Sequence, residues 1–268
     1  MAVQVRRGAF WRREELKDFW SKPDLLIQTG SHMYGCATPQ SDFDRRGFVV
    51  EPAEYLLGRK RFDQHENKVD DVVVWGLPKF IHQLAKGTPN TFEILFAPDN
   101  RILQITEYGR RLLDSRALFV AKNQLMPFAG FARSEWLKAQ LKTKNKETGD
   151  VYFSPRVVGA KRKESHAKHG YSIKNAYHAV RLLSQGKELA KEGFITFPRP
   201  EADLLTDIRE GNLTFERVEA IVENLDAEMM DAVDNSTLPK YPDNKRIDEL
   251  YYDLIDERIT DFLAERRS

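Results

Sequence analysis

Apolar and polar positions follow two different patterns in the two halves of the chain. In the first hundred residues, short apolar runs of strand length are separated by polar breaks. The predicted strands are 25–29, 48–50 and 72–75. Apolar residues at helical spacing predict helices between these strands and after them. The predicted helices run from near Trp11 to Trp20, over 77–84, and from Pro89 to Phe96. This order indicates an α+β fold with a small mixed sheet.

Beyond about residue 100 the apolar positions keep only the helical period. The predicted helices are 102–113, 119–141, 173–189, 215–230 and 247–262. Residues 142–170 show little periodicity and many cations, which predicts a long basic loop of the kind that is usually functional or disordered. We therefore expect a domain with the sheet over 1–115 and a helical C-terminal domain over 116–268.

Composition narrows the class of protein. Of the 268 residues, 41% are hydrophobic and 31% charged, which is typical of a globular chain. No apolar run approaches the roughly 20 residues of a membrane helix, and the N-terminus lacks the apolar core of a signal peptide. The one cysteine, Cys36, excludes an internal disulfide framework and is expected to be a small packed residue. We expect a cytoplasmic protein without a membrane partner.

The net charge of +1 conceals an uneven distribution. Residues 133–174 contain 11 Lys and Arg against 4 Asp and Glu, whereas residues 201–268 contain 8 against 19. Two solvated surfaces of opposite charge explain this uneven distribution as well as a binding surface does. The total charge alone argues against a polyanionic partner, whereas the basic segment 133–174 is compatible with one.

One loop combines residues suited to phosphate and metal chemistry. Gly30-Ser31 ends the first predicted strand, and Asp42-x-Asp44 opens the second. Backbone N–H groups of a glycine-containing turn approach phosphate oxygens closely, and the serine hydroxyl adds a donor. Carboxylates at i and i+2 of a strand lie on one side and suit Mg²⁺ or Mn²⁺. Asp71, at the start of the third strand, is placed to add a third carboxylate. The alternative is that Asp42 and Asp44 are ordinary turn residues, and the preceding Gly-Ser favours the catalytic interpretation.

The pattern Gly30-Ser31-x3-Gly35-x5-Ser41-Asp42-x-Asp44 resembles the signature of the DNA polymerase β superfamily of nucleotidyltransferases. The closer likeness is to a bacterial and phage subgroup associated with RNA repair. It extends over four further segments: 44–49, 71–80, 86–96 and 170–182. The chain departs from the subgroup at Thr88, where Asn is usual, and at Ser172, where Asp is usual. Neither departure touches the three carboxylates.

The resemblance implies a polymerase-β-like core that transfers a nucleotidyl group and releases pyrophosphate. Asp42, Asp44 and Asp71 would bind two divalent ions, and Asp71 would help deprotonate the acceptor hydroxyl. Gly30, Ser31 and Ser41 would bind the nucleoside triphosphate, for example ATP. The expected acceptor is an RNA 3′ end, tRNA-like or damaged. The alternatives are a protein hydroxyl that receives the nucleotide, and a non-catalytic nucleotide or RNA sensor, against which the three carboxylates argue.

A second group of candidate residues lies in the basic middle of the chain. Lys174, His178 and Arg181 share one face of the helix predicted over 173–189. Such a face is either merely solvated or binds phosphates of a nucleotide or nucleic acid. The candidate RNA contacts upstream are Lys161, Arg162, Lys163 and Lys168, with Tyr152 and Phe153 as residues on which a base can stack.

Glu93 lies in an apolar run and is expected to be buried. A buried carboxylate needs a partner, for which Lys79 or an arginine is the prediction. His32, in the phosphate loop, is expected to cap the strand end or to contact a phosphate.

Overall fold

The computed structural model describes residues 18–58 and 60–265. Contacts divide them into two compact units. The first contains the described residues up to Val120, Thr196–Pro198 and the residues from Tyr241 on, and the second contains Ala121–Ile195 and Arg199–Lys240. Most of the helix predicted from Trp11 lies outside the described residues. The domain boundaries predicted from the sequence remain a prediction, whereas contacts group the last helix with the sheet.

The first unit is built on a five-stranded sheet in the order β3-β4-β2-β1-β5. The strands are β1 Leu25–Gln28, β2 Arg45–Val49, β3 Gln64–Asn67, β4 Val72–Gly76 and β5 Ile102–Ile105. β2 and β4 are parallel, and the other neighbours are antiparallel. The predicted small mixed sheet and its three predicted strands are confirmed. The helix predicted over 102–113 is wrong in its first part, because 102–105 pairs with β1 and the helix begins only after Thr106.

Eleven α-helices occur in the described residues. Those of the first unit are α1 Gly30–Tyr34, α2 Ala53–Leu56, α3 Leu77–Ala85, α4 Pro89–Leu95, α5 Glu107–Asp114 and α11 Asn244–Glu265. Those of the second unit are α6 Lys122–Ala139, α7 Ala160–His169, α8 Ile173–Glu192, α9 Ala202–Glu210 and α10 Phe215–Asp234. Prolines in the first turn start α3 and α4, where their missing N–H costs no hydrogen bond. No described helix is long and apolar enough to cross a membrane.

The two faces of the sheet are covered by different groups. On one face Phe48 stacks on Phe80 of α3 at 4.9 Å between ring centroids. On the other face Val49 and Val74 pack against Phe19. Because side chains alternate along a strand, Arg46 of β2 lies on the Phe48 face, and Arg45 lies on the opposite one. Apolar side chains therefore cover both faces of the sheet, and the starts of β2 and β4 are less buried than their ends.

A buried charge pair joins α11 to the sheet. Asp24, just before β1, accepts hydrogen bonds from the Val50 N–H at 2.7 Å and the Thr106 hydroxyl at 2.8 Å. Arg258 Nη2 lies 3.5 Å from Asp24 Oδ2, and its guanidinium stands 4.7 Å over the Tyr108 ring. Burial raises the pKa of Asp24, although Arg258 and both hydrogen bonds oppose the rise. This pair is one of the contacts between the last helix and the rest of the first unit.

A second buried carboxylate lies at the far end of β2 and β4. Glu51 Oε2 accepts the Leu77 N–H at 3.0 Å at the start of α3. A Cβ on Gly76 would come within 2.1 Å of Glu51 Oε1, so glycine is required for this contact. Burial raises the pKa of Glu51 to about 7.

The predicted basic loop over 142–170 is wrong, because most of it has regular structure. Strands β6 Lys142–Lys144 and β7 Val151–Phe153 form an antiparallel hairpin, and α7 follows. α7 buries none of its residues, so its sequence carries no apolar stripe that predicts a helix. The remaining helix predictions of the second half correspond to α6, α8, α10 and α11.

Candidate active site

Three chain segments meet side by side at one end of the sheet. Gly30 begins α1 two residues after β1, Asp44 immediately precedes β2, and Asp71 immediately precedes β4. The Thr29 N–H donates to the Asp44 carbonyl at 2.9 Å, and the Arg45 N–H donates to the Asp71 carbonyl at 2.8 Å. These bonds fix the backbones of the three segments relative to one another.

The strand register makes Asp44 and Asp71 neighbours. Arg45 pairs with Val72 in the parallel ladder, so the residues one position earlier stand next to each other on adjacent strands. Neighbouring strands are about 4.8 Å apart. The predicted meeting of two carboxylates from separate strand starts is therefore consistent with the backbone.

The Asp44 carboxylate occupies the space in which residue 30 would carry a side chain. A Cβ on Gly30 would lie 2.0 Å from Asp44 Oδ2. Gly30 also has a φ of +68°, which side-chain-bearing residues rarely adopt. Glycine at this position thus lets the carboxylate lie directly against the turn that starts α1.

Asp70 and Asp71 differ in their surroundings. Asp70 Oδ2 accepts the Asn67 side-chain N–H at 2.6 Å, so this carboxylate holds the turn between β3 and β4. Asp71 has a φ of +45°, an unfavourable backbone conformation that is often found at functional sites. Its neighbour across the paired strands is Asp44.

Asp42 and Ser41 lie in the connecting loop. The Ser41 N–H donates to the Thr38 carbonyl at 2.9 Å, and Ser41 Oγ accepts the Thr38 N–H at 2.9 Å. Asp42 is exposed, and β2 begins only at Arg45. The expectation that Asp42 and Asp44 share one strand is wrong, so the strand period does not place them on one side.

The chemistry of the donors suits a divalent cation, though with fewer protein ligands than predicted. Among residues 18–58 and 60–265, no three or more His, Cys, Asp or Glu side chains are grouped to hold a metal ion. Mg²⁺, however, is usually bound by one or two carboxylates together with water and substrate phosphates. Asp44 and Asp71 fit that requirement, and the role of Asp42 stays a prediction.

A buried hydrogen bond connects α1 to α4. The Tyr34 hydroxyl donates to Glu93 Oε2 at 2.7 Å, and both residues are buried. Glu93 is thus buried as predicted, and its observed partner is a tyrosine of the phosphate loop. The predicted partner Lys79 instead lies 3.6 Å from Asp63. The bond ties α1, which carries Gly30 and Ser31, to α4.

Two further residues of the phosphate loop, Cys36 and His32, differ in their burial. Cys36 is buried, as expected of a packed thiol. The His32 ring is half-buried, and its centroid lies 5.9 Å from that of Phe43.

The candidate residues of α8 lie in the second unit and differ in exposure. Lys174 is exposed, His178 is half-buried, and Arg181 is buried with its Nη1 donating to Gln185 Oε1 at 3.1 Å. An acidic residue lies near this face, because the charge of His178 helps to lower the pKa of Glu135. Burial alone would raise that pKa, but hydrogen bonds from Lys138 and Asn175 outweigh it.

The candidate RNA contacts lie on α7. Lys161, Lys163 and Lys168 are exposed and Arg162 is half-buried. They therefore form a solvent-accessible cationic helix within the second unit.

In this mixed sheet a glycine just after β1 lies beside the aspartates that precede β2 and β4, as the resemblance to polymerase-β-like nucleotidyltransferases implies. A family model described as "RNA repair pathway DNA polymerase beta family" matches residues 25–253, and the chain belongs to this family. The match confirms the resemblance seen in the sequence, and it covers both units.

A relative of undetermined activity is found in a phage. An uncharacterized 38.9 kDa protein in the nrdC-mobD intergenic region of Enterobacteria phage T4 is 25% identical over 126 residues. The match covers 42% of this chain and 37% of the phage protein, so the chain spans well under half the length of that relative. No solved structure matches the chain.

Proposed function

We propose that this chain transfers a nucleoside monophosphate from a nucleoside triphosphate to the 3′ hydroxyl of an RNA and releases pyrophosphate. The observation that supports it best is the in-register placement of Asp44 and Asp71 beside Gly30. Membership of the RNA repair family favours RNA as the acceptor. The identity of the triphosphate, with ATP as the first choice, is part of the proposal.

In this proposal each residue has a separate task. Asp44 and Asp71, with Asp42, hold Mg²⁺ or Mn²⁺, and Asp71 takes the proton of the acceptor hydroxyl. Gly30 and Ser31 donate N–H and hydroxyl hydrogen bonds to the outer phosphates, and Ser41 keeps the loop in shape. The metal, when bound, neutralises phosphate charge and makes the hydroxyl more acidic. Tyr34 and Glu93 hold the phosphate loop in position.

The cations of the second unit are proposed to contact RNA phosphates. Lys161, Arg162, Lys163 and Lys168 on α7 are accessible enough to do so, as are Lys174 and His178 on α8. Arg181 is buried and donates to Gln185, and its contact with a nucleotide phosphate stays a prediction.

Incubation with each labelled nucleoside triphosphate, with and without RNA, tests the proposal. We expect label from an α-phosphate to enter RNA only when RNA and Mg²⁺ are both present. Label in a protein instead would support transfer to a protein hydroxyl. Nucleotide binding without turnover would indicate a sensor, and either of these results would overturn RNA as the acceptor.

The two adjacent aspartates give a prediction with a built-in control. Asp71→Asn is expected to lower transfer to RNA by at least about tenfold, because a charge next to Asp44 is lost. Asp70→Asn is expected to change the rate less than about threefold, because its carboxylate only accepts the turn hydrogen bond from Asn67. Single-turnover rates at saturating Mg²⁺ measure both. The reverse order of effects would show that Asp70 belongs to the site.

A further inference from the structure

The hairpin β6–β7 exposes three consecutive apolar residues. Val151 is 52% exposed, Tyr152 51% and Phe153 64%. Large side chains exposed together mark interaction sites more often than those that are scattered singly. Nothing in the proposed catalytic machinery of the first unit uses this strand.

One face of the hairpin combines a ring with cations. Phe153 pairs with Lys142, and Val151 pairs with Lys144. Because side chains alternate along a strand, these four residues share one face, whereas Tyr152 and Thr143 share the other. Directly paired side chains have Cβ atoms about 5 Å apart, so each apolar side chain has a lysine side chain as its neighbour.

An acidic residue of the hairpin turn is hydrogen-bonded within the turn. Asp150 Oδ2 accepts a hydrogen bond from the Thr148 hydroxyl at 2.7 Å, and Asn145 Oδ1 accepts one from the Glu147 N–H at 2.8 Å. The Lys144 side chain, in contrast, makes no hydrogen bond or ion pair with any residue that the structure describes. The face therefore offers positive charge beside an exposed ring.

The hairpin is anchored to the helical unit. The Ser154 N–H donates to the Leu141 carbonyl at 2.7 Å just beyond the paired strands, and Lys142 Nζ donates to Gln140 Oε1 at 2.6 Å. The exposed ring is therefore held at a defined place before any ligand arrives, which lowers the entropy cost of binding.

We infer that the face formed by Lys142, Lys144, Val151 and Phe153 binds single-stranded RNA, with a base stacked on Phe153 and phosphates beside the lysines. The choice of RNA as the ligand rests on the proposed function. A flat ring flanked by cations complements a polyanion with aromatic bases, whereas an apolar protein surface would leave both ammonium groups without a counter-charge. The basic helix α7, a few residues further along the chain, extends the positive charge.

The test uses the whole chain and a fluorescent single-stranded oligonucleotide RNA, without nucleotide and with EDTA, so that chemistry plays no part. Phe153→Leu keeps the apolar bulk but removes the ring face, and it is expected to weaken binding about 5- to 100-fold. Phe153→Trp keeps the ring and is expected to bind at least as well as the parent chain. Thermal unfolding checks that both variants fold, as expected for an exposed position.

Salt dependence separates the ring from the lysines. Phe153→Leu should leave the slope of log affinity against log salt unchanged, whereas Lys144→Gln should reduce it by about 0.7. Equal RNA affinity of Phe153→Leu and the parent chain would overturn the inference, and so would failure of Phe153→Trp to bind. Self-association through the hairpin in place of RNA binding, seen by light scattering, would also overturn it.

The labelled-nucleotide assay keeps this inference separate from the proposed function. Transfer to RNA that is unaffected by Phe153→Leu, together with unchanged RNA binding, would overturn the inference alone. Ring-dependent RNA binding without any transfer would overturn the proposed function alone.

Discussion

Asp44→Asn is expected to lower nucleotidyl transfer by at least about a hundredfold, because losing the carboxylate weakens binding of the cation that would stabilise negative charge developing on the phosphates. Asparagine keeps the shape of the side chain that fills the space at Gly30, and it removes the charge that would hold a cation beside Asp71. The unfolding temperature is expected to change little. Single-turnover incorporation of labelled nucleotide measures the rate, and circular dichroism checks the fold.

Asp70→Asn is the matched control for this experiment, because it makes the same chemical change close to the site. Asp42→Asn is also informative, since Asp42 lies outside β2 and is exposed. A rate for Asp44→Asn close to that of the parent chain at saturating Mg²⁺ would contradict the proposed mechanism. A loss with Asp42→Asn as large as with Asp44→Asn would assign Asp42 to the site, as the sequence predicts.

Arg258→Met is expected to lower the free energy of unfolding by about 3–5 kcal/mol, because it leaves the buried Asp24 without its cation. Burial already raises the pKa of Asp24, and loss of the guanidinium raises it further. A carboxyl with a raised folded-state pKa favours the folded state at low pH, and that contribution is lost as the pH rises. The destabilisation should therefore grow with pH, which urea unfolding at pH 5 and pH 8 measures.

Lys245→Met provides a control on the same helix. Lys245 forms an exposed pair with Glu249, and such pairs contribute little, so a change of at most about 1 kcal/mol is expected. The double variant Asp24→Asn with Arg258→Met should recover part of the loss, because no unpaired buried charge remains. A loss with Arg258→Met no larger than with Lys245→Met would mean that α11 does not depend on this pair.

Strong apolar runs with clear breaks allowed β1, β4 and α3 to be predicted. β3 was missed because Gln64–Asn67 contains no apolar residue, and β5 because four residues fit either a strand or the start of a helix. α7 was missed because a helix that buries none of its residues has no apolar stripe. Local patterns identify elements that bury one face, and they carry little information about those that do not.

The candidate site shows the same division. The positions of Asp44 and Asp71 beside strand starts were predictable, because both residues come shortly before apolar runs of strand length. The tyrosine partner of Glu93 and the pairing of Asp24 with Arg258 were not, because they depend on how elements distant in sequence pack together. The loop geometry of Asp42 was likewise set by a turn rather than by the strand period.

The buried contact of Arg258 with Asp24 has a consequence for folding during synthesis. The sheet begins near the start of the chain, but its buried carboxylate receives its cation only after α11 has left the ribosome. All residues of the helical unit are synthesised before that point. The buried charge of Asp24 is therefore paired only after the whole helical unit has been synthesised.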